Sequence, residues 1–285
     1  MAKQFFRFYE TLSKISEKPI LTSFIVLLGI AVVVIGLSLP YYLGDFVNFY
    51  AQILAEAHGM IFDIAVIGIL IFWLNRRGEV RQRIRTYRDE IDDFRLWESE
   101  EAAFRTVGNI KRLNRHNISR IDLVETYLAR TNLNHVDLEE SNLNSANIRN
   151  SFLIQANLKK TRLNQTCFEN ANLNQADLSD SYAGGANFKD AFLIKTNLHN
   201  SFLIKANFMN AFLMEADLSG AHLTGANFEN ASLYKADLRS ATGVTPEQLS
   251  KAKTLYQAKL DPEIAIEMEL EFPELLGIER PLKVG

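Results

Sequence analysis

The sequence is poor in several things at once, and each shortage closes off a class of protein. Cysteine occurs once in 285 residues, at Cys167. A single thiol excludes an intramolecular disulfide framework and fits a reducing compartment. Charge is nearly balanced, with 31 Lys and Arg against 34 Asp and Glu and a net charge of −3, so the overall field calls for no nucleic-acid partner. The short motifs of phosphate-binding loops, nucleophile elbows, dithiol redox centres and helical zinc proteases are missing. No enzyme, cofactor or small-molecule substrate is therefore expected. His116, His135, His199 and His222 are scattered and suggest no metal-ligand set.

Charge is also missing locally. None occurs between Pro19 and Gly44, and Ile20 to Leu39 is apolar enough for a bilayer, since about 20 helical residues reach roughly 30 Å. We read residues 20–43 as a first transmembrane helix. A cleaved signal peptide is the competing reading, but the run is long for one and no small-residue cleavage site comes after it. A second span covers residues 53–74 and is interrupted by Glu56, His58 and Asp63. An ionisable group in hydrocarbon is costly. Asp63 either pairs with His58 or a neighbouring helix, lies between protomers, or sits near the outer headgroup level. The connecting stretch 40–52 has no Lys or Arg, whereas residues 1–19 carry Lys3, Arg7, Lys14 and Lys18, and Arg76, Arg77 and Arg81 begin a basic cluster after the second span. The positive-inside rule then puts both termini in the cytoplasm of a bacterial inner membrane, with the arginines at the lipid headgroups.

From 75 to 117 the chain reads as a helical stalk and cap. Val80, Ile84, Tyr87, Ile91 and Phe94 are spaced four, three, four and three apart, an apolar seam on an otherwise charged helix. A short coiled coil between protomers and a stalk folded onto its own chain are both open. Ser99 is placed as the N-cap of a further helix to about Arg112, which would close the open end of the repeat region beyond it.

That region, 118–240, carries a five-residue pattern: AFLIK, TNLHN, SFLIK, ANFMN, AFLME, ADLSG. Its central position falls on every fifth residue from Leu123 to Leu238, always Leu, Ile or Phe except Ala183. Two places earlier every residue is Ala, Ser or Thr except Ile121 and Val136. A period of five suits neither an α-helix nor a flat strand. It suits a chain that turns a corner after each pentapeptide, so that every centre points at one axis and four sides close a coil of twenty residues. Twenty-four centres at four per coil make six coils, about 29 Å long at about 4.8 Å each. These residues resemble the pentapeptide-repeat family. The resemblance implies an all-β solenoid, a right-handed quadrilateral β-helix with the centre and the small residue inside. In some members acidic rods imitate DNA and bind a type II topoisomerase, but Lys111 to Ser240 holds fourteen basic against thirteen acidic residues, which disfavours that role.

With twenty residues per coil, positions twenty apart share a wall. One wall then carries Phe152, Phe192 and Phe212 in one column, with Ile154, Ile194, Met214 and Tyr234 in the next. A smaller apolar group, Tyr182, Phe202 and Ile204, lies opposite, and Asp137, Asn157, Asp177, Asn197, Asp217 and Asp237 form a polar ladder. An exposed apolar column marks a protein partner or self-association. Residues 241–285 read as C-terminal capping: Thr245 and Gln248 form a capping box, Leu249, Ala252 and Leu255 plug the last coil, and Asp261-Pro262 opens a shorter helix before a weakly structured acidic tail. The function expected is a membrane-anchored scaffold. An oligomeric, channel-like effector with the rod as its sensor is the alternative.

Overall fold

The computed structural model describes residues 28, 29, 31, 32, 35, 36 and 46–277, which divide into two compact units between Gly78 and Glu79. Segment 1–19, most of the expected first span at 20–43 and residues 278–285 lie outside the described residues.

Helix α1 runs over Phe46–Asp93, 48 residues, and crosses the division between the units. It starts before the expected second span, so 46–52, read as part of a connecting loop, is helical. No Gly or Pro stands between Phe46 and His58 to break it. Within the first unit, Gly59 and Gly68 have no neighbouring side chain or backbone where a Cβ would be.

In the second unit, the end of α1 lies against its own chain. Ile91 is buried, and Ile84 and Tyr87 pack on the core. Helix α2, Glu100–Arg115, begins at Ser99, whose hydroxyl accepts the Ala102 N–H. It reaches Arg115 rather than about Arg112, and it buries Val107, Ile110 and Leu113 in one core with Ile121 and Leu123 of the first coil. The coil's unpaired backbone is met by side chains. The Asn114 amide donates to the Asp137 carbonyl at 2.7 Å and accepts the Asp137 N–H at 3.0 Å, and Arg95 donates to the Val124 carbonyl. Asn114 thus stands in for the peptide of a missing coil and blunts an edge that would otherwise template another chain.

The rod itself is held by parallel pairings twenty residues apart, from Asp122 with Asn142 to His222 with Thr242. Among the described residues these are isolated bridges, because each side of the coil is too short for a strand. One pentapeptide shows the scheme. The Ser141 N–H closes the turn onto Leu138, Asn142 donates to Ile121 of the preceding coil, and Leu143 and Ser145 donate to Arg162 and Asn164 of the next. The fifth donor, Asn144 N–H, goes to the side chain of Asn142. Asn or Asp before the centre is thus a turn residue that satisfies a backbone group. The corner residue two places after each centre is left-handed. From Glu125 to Ser240 all 24 have φ between 55° and 68°, 21 of them not glycine. No Val, Ile or Thr occurs at these positions, as the steric cost of that region for β-branched residues requires.

All 24 centres are fully buried or nearly so, Ala183 included, and Phe168, Phe188, Phe208 and Phe228 stack inside with adjacent centroids 5.0 to 5.4 Å apart.

The C-terminal end departs from expectation. The capping box at Thr245 and Gln248 is present, but helix α3 is only Pro246–Leu249. Leu255 is not on a plug helix. The solenoid resumes there two residues out of frame, pairing Ser232 with Thr254 and Asp237 with Lys259, a spacing of 22. KTLYQ and AKLDP are further repeat units, with Gln257 left-handed at the corner. The loop containing α3 inserts the two extra residues, and that hid the continuation. Asp261 makes no side-chain cap on helix α4, Pro262–Glu271; its carboxylate accepts the Ser240 N–H instead. The acidic stretch expected to be weakly structured is α4 and then a 3-10 helix, Pro273–Leu276, with Met268 and Pro273 buried. Leu275 offers its carbonyl to the Leu255 N–H, closing the last side.

Candidate docking face

The coil register brings the predicted columns together. Phe152 is paired on either side with Asn132 and Asn172, and Phe192 with Asn172 and Phe212. The Phe192 and Phe212 rings lie parallel with centroids 4.9 Å apart. Phe152, Phe192 and Phe212 remain 52%, 40% and 37% exposed. Ile154, Ile194, Met214 and Tyr234 beside them are half-buried, and Tyr256 of the resumed solenoid stacks on Tyr234 and extends the column. Because Phe192 and Phe212 lie face to face, much of their exposed surface is ring edge. The wall therefore offers an apolar ridge rather than open platforms for stacking planar ligands.

Placing a Phe before the centre removes the Asn or Asp that would satisfy the backbone N–H two residues on. The chain compensates one coil earlier: the Asn134 side chain accepts the Ile154 N–H at 2.8 Å, and Asn174 accepts that of Ile194 at 2.9 Å. The Phe152 and Phe192 rows are thus tied to the Asn rows before them, whereas the Phe212 row follows Ile194 and has no such Asn. Sequence reasoning missed this supporting role, although each Asn lies twenty residues before the position it serves.

On the opposite wall Tyr182, Phe202 and His222 form a continuous stack with centroids 4.9 and 4.7 Å apart, and Ile204 is exposed beside it. His222 Nδ1 lies 2.6 Å from Thr242 Oγ1 and His199 Nδ1 2.9 Å from Ser219 Oγ. In the polar ladder Asn157 donates to Asp137 and Asn197 to Asp177. Its last member, Asp237, is bonded by Arg239 and Lys259. The Arg239 guanidinium holds the Asp237 carboxyl down at about 2, against the opposing effect of partial burial.

Cys167 is half-buried and free, 3.9 Å from the Asn187 amide. An open groove of about 1210 Å³ runs between the end of α1 and the wall carrying Arg162 and Tyr182. Its charges are mixed, with Arg88, Arg120 and Lys160 beside Asp92, Glu140 and Asp180. Among the described residues no cluster of His, Cys, Asp and Glu is placed to hold a metal. Sequence reasoning missed the strongly exposed Leu96 and Trp97 in the turn between α1 and α2. Their signal was the LW pair in an otherwise charged turn.

In the first unit, Glu56 and Asp63 are exposed on α1, His58 belongs to the same helix, and Arg76, Arg77 and Arg81 come after them, the first two in this unit. The Arg77 guanidinium lies 3.8 Å from the centroid of the Trp73 ring. The segment Gly59–Asp93 is long and apolar enough to cross a membrane, the one such helix among the described residues.

Comparison with known proteins agrees with this geometry. The sequence model described as Pentapeptide repeats matches residues 121–159, 137–175, 176–214 and 213–242. No curated protein matches. Among solved structures, QnrB1, a plasmid-mediated fluoroquinolone resistance protein, is 20% identical over 57% of this chain and 84% of its own, with a TM-score of 0.39. A pentapeptide-repeat protein of the Arabidopsis thaliana thylakoid lumen is 31% identical over 39% of this chain and 81% of its own, with a TM-score of 0.26. HetL, involved in heterocyst differentiation regulation in the cyanobacterium Nostoc sp. strain PCC 7120, is 27% identical over 50% and 79%, with a TM-score of 0.19. The assignment rests on the family match and on the coil register rather than on these superpositions. The rod is accordingly a right-handed quadrilateral β-helix, and through residues 121–242 the chain belongs to the pentapeptide-repeat proteins.

Proposed function

We propose that this protein is a non-enzymatic scaffold held at a bacterial inner membrane, docking a protein partner or another copy of itself through the Phe column. The observation that carries the reading is the outward apolar column in coil register, with Phe192 and Phe212 stacked yet still in contact with water. An apolar stripe of this length on a soluble surface is costly unless something covers it. The apolar stretch of α1 supports the membrane, and the basic residues after it support a cytoplasmic rod. Phe192→Asp combined with Phe212→Asp should abolish the protein's crosslinked assemblies in native membranes. Unchanged crosslinking would remove the column from the reading.

One observation favours a second reading, an oligomeric channel-like effector. Trp73, under Arg77, marks a headgroup level, and Asp63 lies ten residues before Trp73, about 15 Å deeper and near the middle of a bilayer core of about 30 Å. A carboxylate at that depth needs a partner or a path. Ion flux through liposomes that disappears in Asp63→Asn would support this reading; absence of flux in the native chain would end it. The near-neutral rod gives no support to a DNA mimic.

A further inference from the structure

The flanks of the Phe column carry information about its occupant. Across this wall the chain runs in the same order in every coil: a left-handed corner, the Phe position, the buried centre, the Ile or Met position, and the next corner. The leading corners of the four middle coils are Asn150, Asn170, Asp190 and Asn210, and the trailing corners are Gln155, Gln175, Lys195 and Glu215. None of the eight is buried.

If two such walls meet about a twofold axis parallel to the rod, row lies against row and left against right. Each leading corner then faces the trailing corner of the same coil in the other copy. The amides of Asn150 and Asn170 meet those of Gln155 and Gln175. The Asp190 carboxylate meets the Lys195 ammonium, and the Asn210 amide meets the Glu215 carboxylate. In these four coils every pair is complementary and no like charges oppose, although the same side chains also bond along their own columns, Gln155 to Gln175, Asn210 to Asp190 and Lys195 to Glu215.

The apolar rows match in the same arrangement. From the first coil to the sixth the Phe positions read Asn132, Phe152, Asn172, Phe192, Phe212 and Ser232. Facing it is the series Asn134, Ile154, Asn174, Ile194, Met214 and Tyr234, and the two match row for row only in register; placing Asn174 opposite Phe192 would bury an amide against a ring. In register, Phe152 faces Ile154, Phe192 faces Ile194 and Phe212 faces Met214, while the Asn rows meet each other.

We propose that the occupant of the Phe column is a second copy of this chain, joined wall to wall about a twofold axis along the rod with the coils in register. The inference rests on the column being a docking face, and it adds the partner and its orientation. The wall is small, about 29 Å by about 10 Å, against roughly 800 Å² per partner in a stable interface. Confinement to one membrane raises the effective concentration of copies and compensates for a weak contact.

The test uses the full chain in native membranes with Cys167→Ser, co-expressing differently tagged copies and oxidising with copper phenanthroline. Chains carrying Phe192→Cys should form disulfides with chains carrying Ile194→Cys, and about tenfold less with chains carrying Phe212→Cys. The reverse ranking means an antiparallel pairing and overturns the proposal. Asp190→Lys should lower the Phe192→Cys to Ile194→Cys product about tenfold, and adding Lys195→Asp should restore it; failure to restore overturns the pairing. No disulfide in any combination overturns the second copy as occupant. In that case, chemical crosslinks to a different protein that vanish in Phe192→Asp with Phe212→Asp would leave the docking face itself standing.

Discussion

Phenylalanine is stacked on phenylalanine twice in this rod, once along its interior and once on its surface, and the two stacks differ in what surrounds them. Inside, Phe188 and Phe208 are parallel with centroids 5.0 Å apart; outside, Phe192 and Phe212 are parallel at 4.9 Å. The first pair is fully buried and the second is more than a third exposed. Ring stacking is therefore a consequence of backbone register and not of burial. The coils hold rows about 5 Å apart wherever a ring is placed. What burial adds is the transfer of apolar area from water, which the inner rings have gained on folding and the outer rings have not.

The largest effect should come from breaking the inner stack. Phe208→Ala leaves a ring-sized cavity between Phe188 and Phe228, and about 3–5 kcal/mol of stability should be lost in urea unfolding of the full chain in detergent. A loss near zero would mean that the rod does not unfold as one unit.

At the corner between inside and outside the effect is smaller. Gln165→Val puts a β-branched residue at φ 59° and should cost about 1–2 kcal/mol by the same measurement. A neutral result would mean that the corner relaxes.

On the polar ladder, Asp237 is 15% exposed while Arg239 and Lys259 are mostly in water, so solvent screening weakens the ion pairs. The folded carboxyl is held at about 2 against 3.8 ordinarily. A depressed acid stabilises fully above its unfolded value and loses that share as pH falls toward the folded one. The difference between Asp237→Asn and the native chain should therefore be present near neutral pH and close at about pH 2. A difference independent of pH would assign it to packing.

Replacing both outer rings by Asp should change stability least, by about 0.5 kcal/mol or less, while association is lost. That inversion, small in folding and large in assembly, sharpens the contrast between the two stacks most directly.

Much of the rod was legible because each pentapeptide makes the same demand. Leu, Ile or Phe at the centre and a small residue two before it state the inner wall, and the period of five states the corner. The docking columns came from counting twenties. Two things were not legible by that rule. The frame shift after Leu238 hid the units at KTLYQ and AKLDP, because a fixed period cannot see past an insertion of two residues. The role of Asn134 and Asn174 also escaped, because it depends on a bond between residues a full coil apart.

By itself the sequence determined the coil, its register and the apolar stretch of α1, since periodicity and hydropathy are properties of residue order. Only the tertiary structure decided that the seam of α1 folds back onto its own core, that an Asn114 side chain ends the rod where a peptide would continue it, and that the corners are left-handed. Each of these is a choice among partners for buried backbone and apolar groups. That choice is settled by what lies nearby in space, which residue order alone does not specify.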